Sequence, residues 1–409
     1  MRILIVAPVP PQRSGAGAIP ILLEAQVAGL RERNELTLVS AVGDDPGEAE
    51  AAERLRASGL DVHFADRRQP PPGRRRWRRR ARMASEWAFG RRPWRAIWFA
   101  DPGVQAILDR LAAERSFDVA VVEDSAMSGY RLPAGVPALL TEHEVLRPRP
   151  PEWGPGADPR QWPARAFAEL DWRKRPPFQR TAWREFDRVL AFGRRDAAAI
   201  AELAPEVAER VRVSPFGLEL PPAADPDGVE PDTLLFVGNF SHQPNRDAAR
   251  WLAAEIMPAL LAQRPAARLR IVGSAAAAEI LALAGPAIEV IADAPSVEPL
   301  LAAAAVVVAP VRTGGGMRMK VLEAMAAGKA VVTTSRGGEG FDCFEQPPPL
   351  ALADDATGFA TAVAGLLGGS ERRRRVSEAA RRFAESHYSP GAWAKRLEEA
   401  YGEVIGSHG

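Results

Sequence analysis

Three successive glycines, Gly314, Gly315 and Gly316, stand just ahead of two cations, Arg318 and Lys320, and a carboxylate, Glu323. The run from Ala309 to Thr334 that holds them reads as strand, glycine loop, helix, strand. A glycine loop lets backbone come close to a ligand, and the free N–H groups at the start of the next helix turn partial positive charge toward an anion. Arg318 and Lys320 add full charges at that place. Glu323, one turn on, can accept hydrogen bonds from sugar hydroxyls. The chemistry is that of a phosphate-and-ribose cradle, because a mere tight turn before an amphipathic helix does not call for three glycines and two cations together.

Such a cradle needs a βαβ frame, and the chain supplies the pattern twice. Arg2 to Ala7 is a continuous apolar strand, followed by a loop from Pro8 to Gly17, a helix from Pro20 to Arg33 and a strand from Leu36 to Ser40. Further strands are expected at Val62 to Ala65, Val119 to Glu123, Ala138 to Thr141 and Arg188 to Phe192. The pattern restarts with a strand from Thr233 to Gly238, a helix from Asn245 to Gln263, and strands at Leu269 to Gly273, Ile288 to Ala292 and Ala305 to Ala309. Short runs of branched residues ending in turn signals are what strands buried on both faces look like. The fold class is α/β, with two doubly wound sheets. The proline-rich stretch Phe216 to Pro231 reads as the linker between them.

His143 lies just past the strand Ala138 to Thr141, at the carboxyl end, where α/β sheets place ligands. Glu142 and Glu144 flank it, and alternation of side-chain direction sends only one face of this trio toward a site. Which of the three acts stays open from the sequence. Two regions break the α/β rhythm. Arg67 to Arg95 alternates arginine clusters with Trp77, Trp87 and Trp94, which reads either as a solvated helix face or as contact with an anionic membrane surface or an acidic acceptor. Pro148 to Pro177, rich in proline and tryptophan, reads as a lid or site wall.

The 409 residues carry a formal charge of +1 and a 46% hydrophobic fraction, enough for two or three domains with sizeable cores. The balanced charge does not point to nucleic acid. One cysteine, Cys343, excludes an internal disulfide and fits a reducing compartment. The opening apolar run is short and ends at Pro8, and no later run is long enough to span a bilayer, so the expected location is cytoplasmic, with peripheral membrane contact through Arg67 to Arg95 as an added reading.

The second half resembles the retaining glycosyltransferases of family 4, which have the GT-B fold. The similarity rests on Phe236-Val-Gly-Asn-Phe-Ser-His-Gln-Pro-Asn-Arg-Asp-Ala248, on Met257-Pro258, Pro265 and Ile271-Val-Gly273, and on the glycine segment through Gly340. The first half matches more loosely, through Ser14-Gly-Ala-Gly17, the strand Val119 to Glu123, and Thr141-Glu-His-Glu144. The resemblance implies two facing Rossmann-like domains, an acceptor domain at 1–218 and a donor domain at 232–387, joined by a linker at 219–231. A last helix, within 388–409, then crosses back to the first domain.

The same resemblance implies a transfer of a hexosyl group from a nucleotide diphosphate sugar to an acceptor hydroxyl, with retention and without a metal or cofactor. His143, Arg318 and Lys320 would be the catalytic groups. Gly15, Gly17, Gly238, Asn239, Asn245, Arg246, Gly314, Gly315, Gly316, Met317 and Glu323 would bind the donor. Two departures stand out. Many members have a glutamate eight positions before the counterpart of Glu323, where this chain has Gly315, and many have an arginine and a lysine in the first donor-domain loop, where this chain has Asn239, Asn245 and Arg246. A nucleotide-sugar-binding protein of the same fold with weak turnover is the alternative that the first departure allows.

Other chemistries find less support. No cysteine and histidine cluster offers a metal set, and Asp44-Asp45 and Asp354-Asp355 lack flanking ligands. Gly314 to Lys320 does not have Walker spacing, and no nucleophile elbow is present. Ser14-Gly-Ala-Gly17 lacks the third glycine of a dinucleotide fingerprint.

Overall fold

A computed structural model describes residues 1–13, 18–68, 73–145, 162–225, 228–314 and 318–408. They form two compact units, Met1–Leu218 with Trp393–Gly409, and Glu219–Ala392.

The first unit is built on seven strands: β1 (Arg2–Val6), β2 (Glu35–Val42), β3 (Asp61–Asp66), β4 (Val119–Glu123), β5 (Ala138–Glu142), β6 (Arg188–Ala191) and β7 (Val211–Val213). Their spatial order is β3-β2-β1-β4-β5-β6-β7, and every pairing is parallel. β4 is buried along its whole length and β1 at all but Arg2, as expected where helices cover both faces of a sheet. The helices that matter for the site are α1 (Ala18–Leu30), α2 (Arg74–Phe89) and α3 (Trp162–Arg184).

The second unit repeats the arrangement with six parallel strands: β8 (Thr233–Val237), β9 (Arg268–Gly273), β10 (Ile288–Ala292), β11 (Val306–Ala309), β12 (Ala330–Thr333) and β13 (Leu350–Leu352), in the order β10-β9-β8-β11-β12-β13. The order reverses between β8 and β11. That reversal opens a crevice at the carboxyl ends of the strands, where ligands of doubly wound sheets bind. Around it run α4 (Gln243–Trp251), α5 (Met319–Ala326) and α6 (Ser370–Tyr388). A last helix, α7 (Pro390–His408), groups with the first unit from Trp393 onward.

Several elements differ from the expectation in instructive ways. The helix expected over Asn245 to Gln263 is interrupted by a π-turn at Leu252–Ile256 before it resumes at Met257–Gln263. Pro258 explains the interruption, since it has no N–H to donate and its ring crowds the carbonyl four residues back. Pro176 and Pro177, read as part of a lid or site wall over Pro148 to Pro177, lie inside α3, and 148–161 of that stretch fall outside the described residues. β7 and β13 were not expected, being three residues long and incompletely buried at sheet edges. Tyr388 ends α6 rather than opening the last helix.

The Arg67 to Arg95 stretch divides. Arg67 is buried, donates to the Pro8 carbonyl at 3.0 Å and lies 4.7 Å from the centre of the Phe99 ring. Trp87 Nε1 donates to Asp171 at 2.9 Å, and its ring packs on Phe167. Trp87 thus seats α2 against α3, and Arg67, ahead of α2, has an interior role of its own. Trp77 and Phe89 remain exposed. Among the described residues no helix is long and apolar enough to cross a membrane.

Candidate functional site

The cradle in the second unit is built from the backbone upward. Gly273 closes β9 so near to β8 that a Cβ there would lie 1.7 Å from the Gly238 carbonyl oxygen. Only glycine permits this approach, and Gly238 N–H donating to Val272 O at 2.9 Å shows the two strand ends zipped together. Gly314 has φ of +92°, in the left-handed region, and a Cβ would meet Pro244 at 3.1 Å. The loop after β11 can therefore turn back over the start of α4. Gly315, Gly316 and Met317 lie outside the described residues, as do Gly15 and Gly17.

Within this frame is a cavity of about 360 Å³. Gly238 and Asn239 line it from β8, Gly273 and Ser274 from β9, Asp293 and Val297 from beyond β10, and Met319, Lys320 and Glu323 from α5. It sits at the strand-order reversal. Lys320 Nζ donates to Asn245 Oδ1 at 2.7 Å and lies 4.8 Å from the centre of the Phe236 ring. Asn245 in turn donates from Nδ2 to Asn239 O at 2.8 Å. The sequence-predicted residues Gly238, Asn239, Asn245, Lys320 and Glu323 are thus brought together.

Electrostatics follow from that depth. Removal from water, reinforced by the Arg318 charge and opposed by Glu323, pushes the Lys320 ammonium down to about 7. Glu323 is exposed to solvent yet set deep among protein atoms, and this desolvation raises its carboxyl, with Lys320 pulling the other way. Arg318 stands at the N-cap of α5 and donates to Thr313 O at 3.3 Å. Arg246 serves a different purpose, since its guanidinium donates to the Phe240 and Ser241 carbonyls and to Gln243, tying the loop after β8, and it does not line the cavity.

In the first unit, His143 follows β5 with its side chain almost fully buried, and its Nε2 lies 2.9 Å from Glu123 Oε2 at the end of β4. Gln26 from α1 and Thr141 both donate to Glu123 Oε1, at 2.8 and 3.1 Å, so the carboxylate is held from three sides. The Phe192 ring meets the imidazole edge-on at 5.1 Å. Glu142 points elsewhere: Trp183 Nε1 donates to it at 2.7 Å and Ser125 Oγ at 3.3 Å, and burial raises its carboxyl well above the usual range. The trio left open by sequence therefore resolves into a His143–Glu123 pair and a separately buried Glu142. Glu123 was read only as the end of a strand, although a carboxylate closing an otherwise apolar run was a visible signal. Among the described residues no group of three His, Cys, Asp or Glu side chains is placed to hold a metal ion.

With this geometry in place, comparison adds a family likeness to part of the chain. Residues 231–368 match the family described as glycosyl transferases, group 1. The match lies within the unit that holds the cradle. No curated protein matches the sequence.

Solved structures resemble the whole chain. HepE of Anabaena, in complex with UDP-glucose, is 13% identical over 98% of this chain and 100% of that one, with a TM-score of 0.61. Sucrose-phosphate synthase of Thermosynechococcus elongatus gives 16%, 100% and 100%, and 0.65. A variant of S. aureus TarM, in complex with fondaparinux, alpha-GlcNAc-glycerol and UDP, gives 8%, 98% and 100%, and 0.64. At such identities the likeness is one of fold, and that fold is GT-B, two Rossmann-like parallel-sheet units in one chain.

Proposed function

We propose that the protein is a glycosyltransferase that moves a sugar from a nucleoside diphosphate to an acceptor hydroxyl. The observation that carries this reading is the cavity at the β8/β11 reversal, where a desolvated Lys320, the start of α5 and Glu323 converge in the segment that matches group 1 glycosyl transferases. The diphosphate would lie against Lys320, Arg318 and the α5 N-terminus, with Glu323 accepting from ribose hydroxyls.

The transfer balances as follows. The bond from the anomeric carbon to the leaving phosphate oxygen breaks, and a bond from that carbon to the acceptor oxygen forms. The acceptor proton passes to the leaving phosphate. Lys320 and Arg318 offset the charge that grows on the departing diphosphate. This route leads to retention, needs no strong protein base, and uses no metal. His143, fixed by Glu123, would orient a sugar or acceptor hydroxyl.

A binding protein with weak turnover is the second reading, favoured by Gly315 at the position where similar enzymes carry a glutamate. One experiment treats both. Thermal shifts are measured with UDP-, GDP-, TDP- and ADP-sugars, starting from UDP-glucose because a structure of the same fold holds it. The stabilising donor is then followed by NMR for free sugar or glycoside and for anomeric configuration. Stabilisation with product is expected. Stabilisation without any hydrolysis or transfer favours the second reading, and a panel with no stabilising member overturns both.

A further inference from the structure

A second cavity, of about 520 Å³, lies in the same unit but at the other end of the sheet. Ala304 and Ala305 enter it just before β11, and Lys329 just before β12, so it opens at the amino ends of strands whose carboxyl ends carry the cradle. α6 forms its wall. Residues spaced three or four apart share one helix face, and on α6 that face presents Arg373, Arg374, Glu378, Arg381 and Arg382 to the cavity. With Lys329 the lining holds five cations against one carboxylate.

The cations are only partly neutralised by their partners. Glu378 is shared by Arg374 and Arg382, at 3.5 and 3.9 Å, and Glu371 by Arg374 and Arg375, at 3.0 and 3.3 Å, while Arg381 pairs with Glu385 at 2.6 Å. Such exposed pairs hold one another weakly. Lys329 is 3% exposed, and its ammonium donates to the Ala302 and Ala304 carbonyls, two of its three donors. A structural lysine at a strand start accounts for those two bonds. Arg373 likewise donates to the Leu366 carbonyl at 3.1 Å and Arg381 to the Pro221 and Ala326 carbonyls, which leaves Arg374 and Arg382, exposed and paired weakly along their own helix, as the cations a ligand can reach. The lining also has an apolar part, with Ala223, Ala224 and Val229. The size falls within the roughly 300–1,000 Å³ of small-molecule sites.

We propose that this cavity is a second ligand site, separate from the cradle, for a small phosphorylated molecule whose phosphate meets Arg374 and Arg382 of α6 while its carbon body lies on the apolar part of the lining. A ligand here binds the same unit as the donor without competing for the donor's place.

The test uses the full chain with the cradle saturated by UDP, and inorganic pyrophosphate as the probe in calorimetry. Wild-type protein is expected to bind one equivalent. The variant Arg374→Gln/Arg382→Gln removes two exposed charges without setting like charges together, so its melting temperature without ligand and its UDP affinity should match wild type, while pyrophosphate affinity falls by at least about tenfold, the loss expected on removing charge-assisted contacts. No pyrophosphate binding in the UDP-saturated protein, or binding unmoved by the loss of the two charges, overturns the proposal. Should UDP itself fail to bind, the Lys320→Ala background gives the same readout with the cradle disabled, which keeps this proposal distinct from the glycosyltransferase reading.

Discussion

At the scale of single residues, Lys320 carries the sharpest expectation. Its folded-state value of about 7 lies below the ordinary 10.5, so between those values the unfolded chain binds more protons than the folded one. The contribution of Lys320 to stability therefore grows as pH rises across that window and is lost as pH falls through about 7. A bound diphosphate reverses the preference by stabilising the ammonium. UDP binding at pH 8 should accordingly take up close to one proton, read from calorimetry in buffers of different ionisation enthalpy. Lys320→Ala should abolish the uptake and weaken UDP about ten- to a hundredfold. Proton-neutral binding in the wild type would show either that the free protein does not hold Lys320 neutral at that pH or that its ammonium does not meet the phosphate. His143 calls for a different measurement. Glu123→Gln keeps the side chain's shape but removes the charge beside Nε2, and both it and His143→Ala should slow transfer by roughly 10²-fold with UDP affinity unchanged. A histidine that only fills space would instead lower the melting temperature and leave the rate of the folded protein intact.

At the scale of elements, the cradle depends on two strand ends touching. Gly273 approaches Gly238 so closely that no side chain fits, and their neighbours Val272 and Ser274 accept the hydrogen bonds that fix the loop after β8. Gly273→Ala must push β9 from β8. Overpacking of this kind costs about 1–3 kcal/mol or more, and in a unit of this size each kcal/mol lowers the melting temperature by about 2–4 °C. The expected outcome is a melting point lower by several degrees together with weakened UDP binding, because Gly238 and Asn239 move with the strand. A variant with wild-type stability and UDP affinity would contradict the geometry. α2 shows the opposite situation, since Trp87 is held by an interior partner while Trp77 and Phe89 on the same helix are exposed.

At the scale of the whole molecule, the last helix belongs to the first unit's core. Trp393, Leu397, Tyr401 and Val404 are all essentially buried, and Trp393 reaches Phe192, with ring centres 6.3 Å apart, whose further edge contacts are His143 and Phe216. The chain's end thus supports the ring that supports the histidine. Trp393→Ala should cost the first unit about 3–5 kcal/mol. Calorimetric unfolding with and without UDP checks this: the substitution should lower the transition of the first unit, whereas UDP should raise that of the second. A single transition that responds to neither would refute the assignment of α7.

Both βαβ series and the cradle were legible in the sequence because buried parallel strands are continuous apolar runs and because glycines followed by cations on a helix start are local patterns. Lys320 and Glu323 could be named from such patterns alone, whereas Gly238 and Asn239 came from the family resemblance. What sequence left open were relations between distant residues. Glu123 and His143 stand 20 positions apart on neighbouring strands, Arg246 turned out to tie its own loop, and the π-turn before Pro258 depends on how a missing N–H is absorbed. The short edges β7 and β13 carried too few residues for a period to show. Spacing along a chain reports which face a side chain takes; which partner meets it across a sheet is decided by strand order, and that order exists only once the chain has folded.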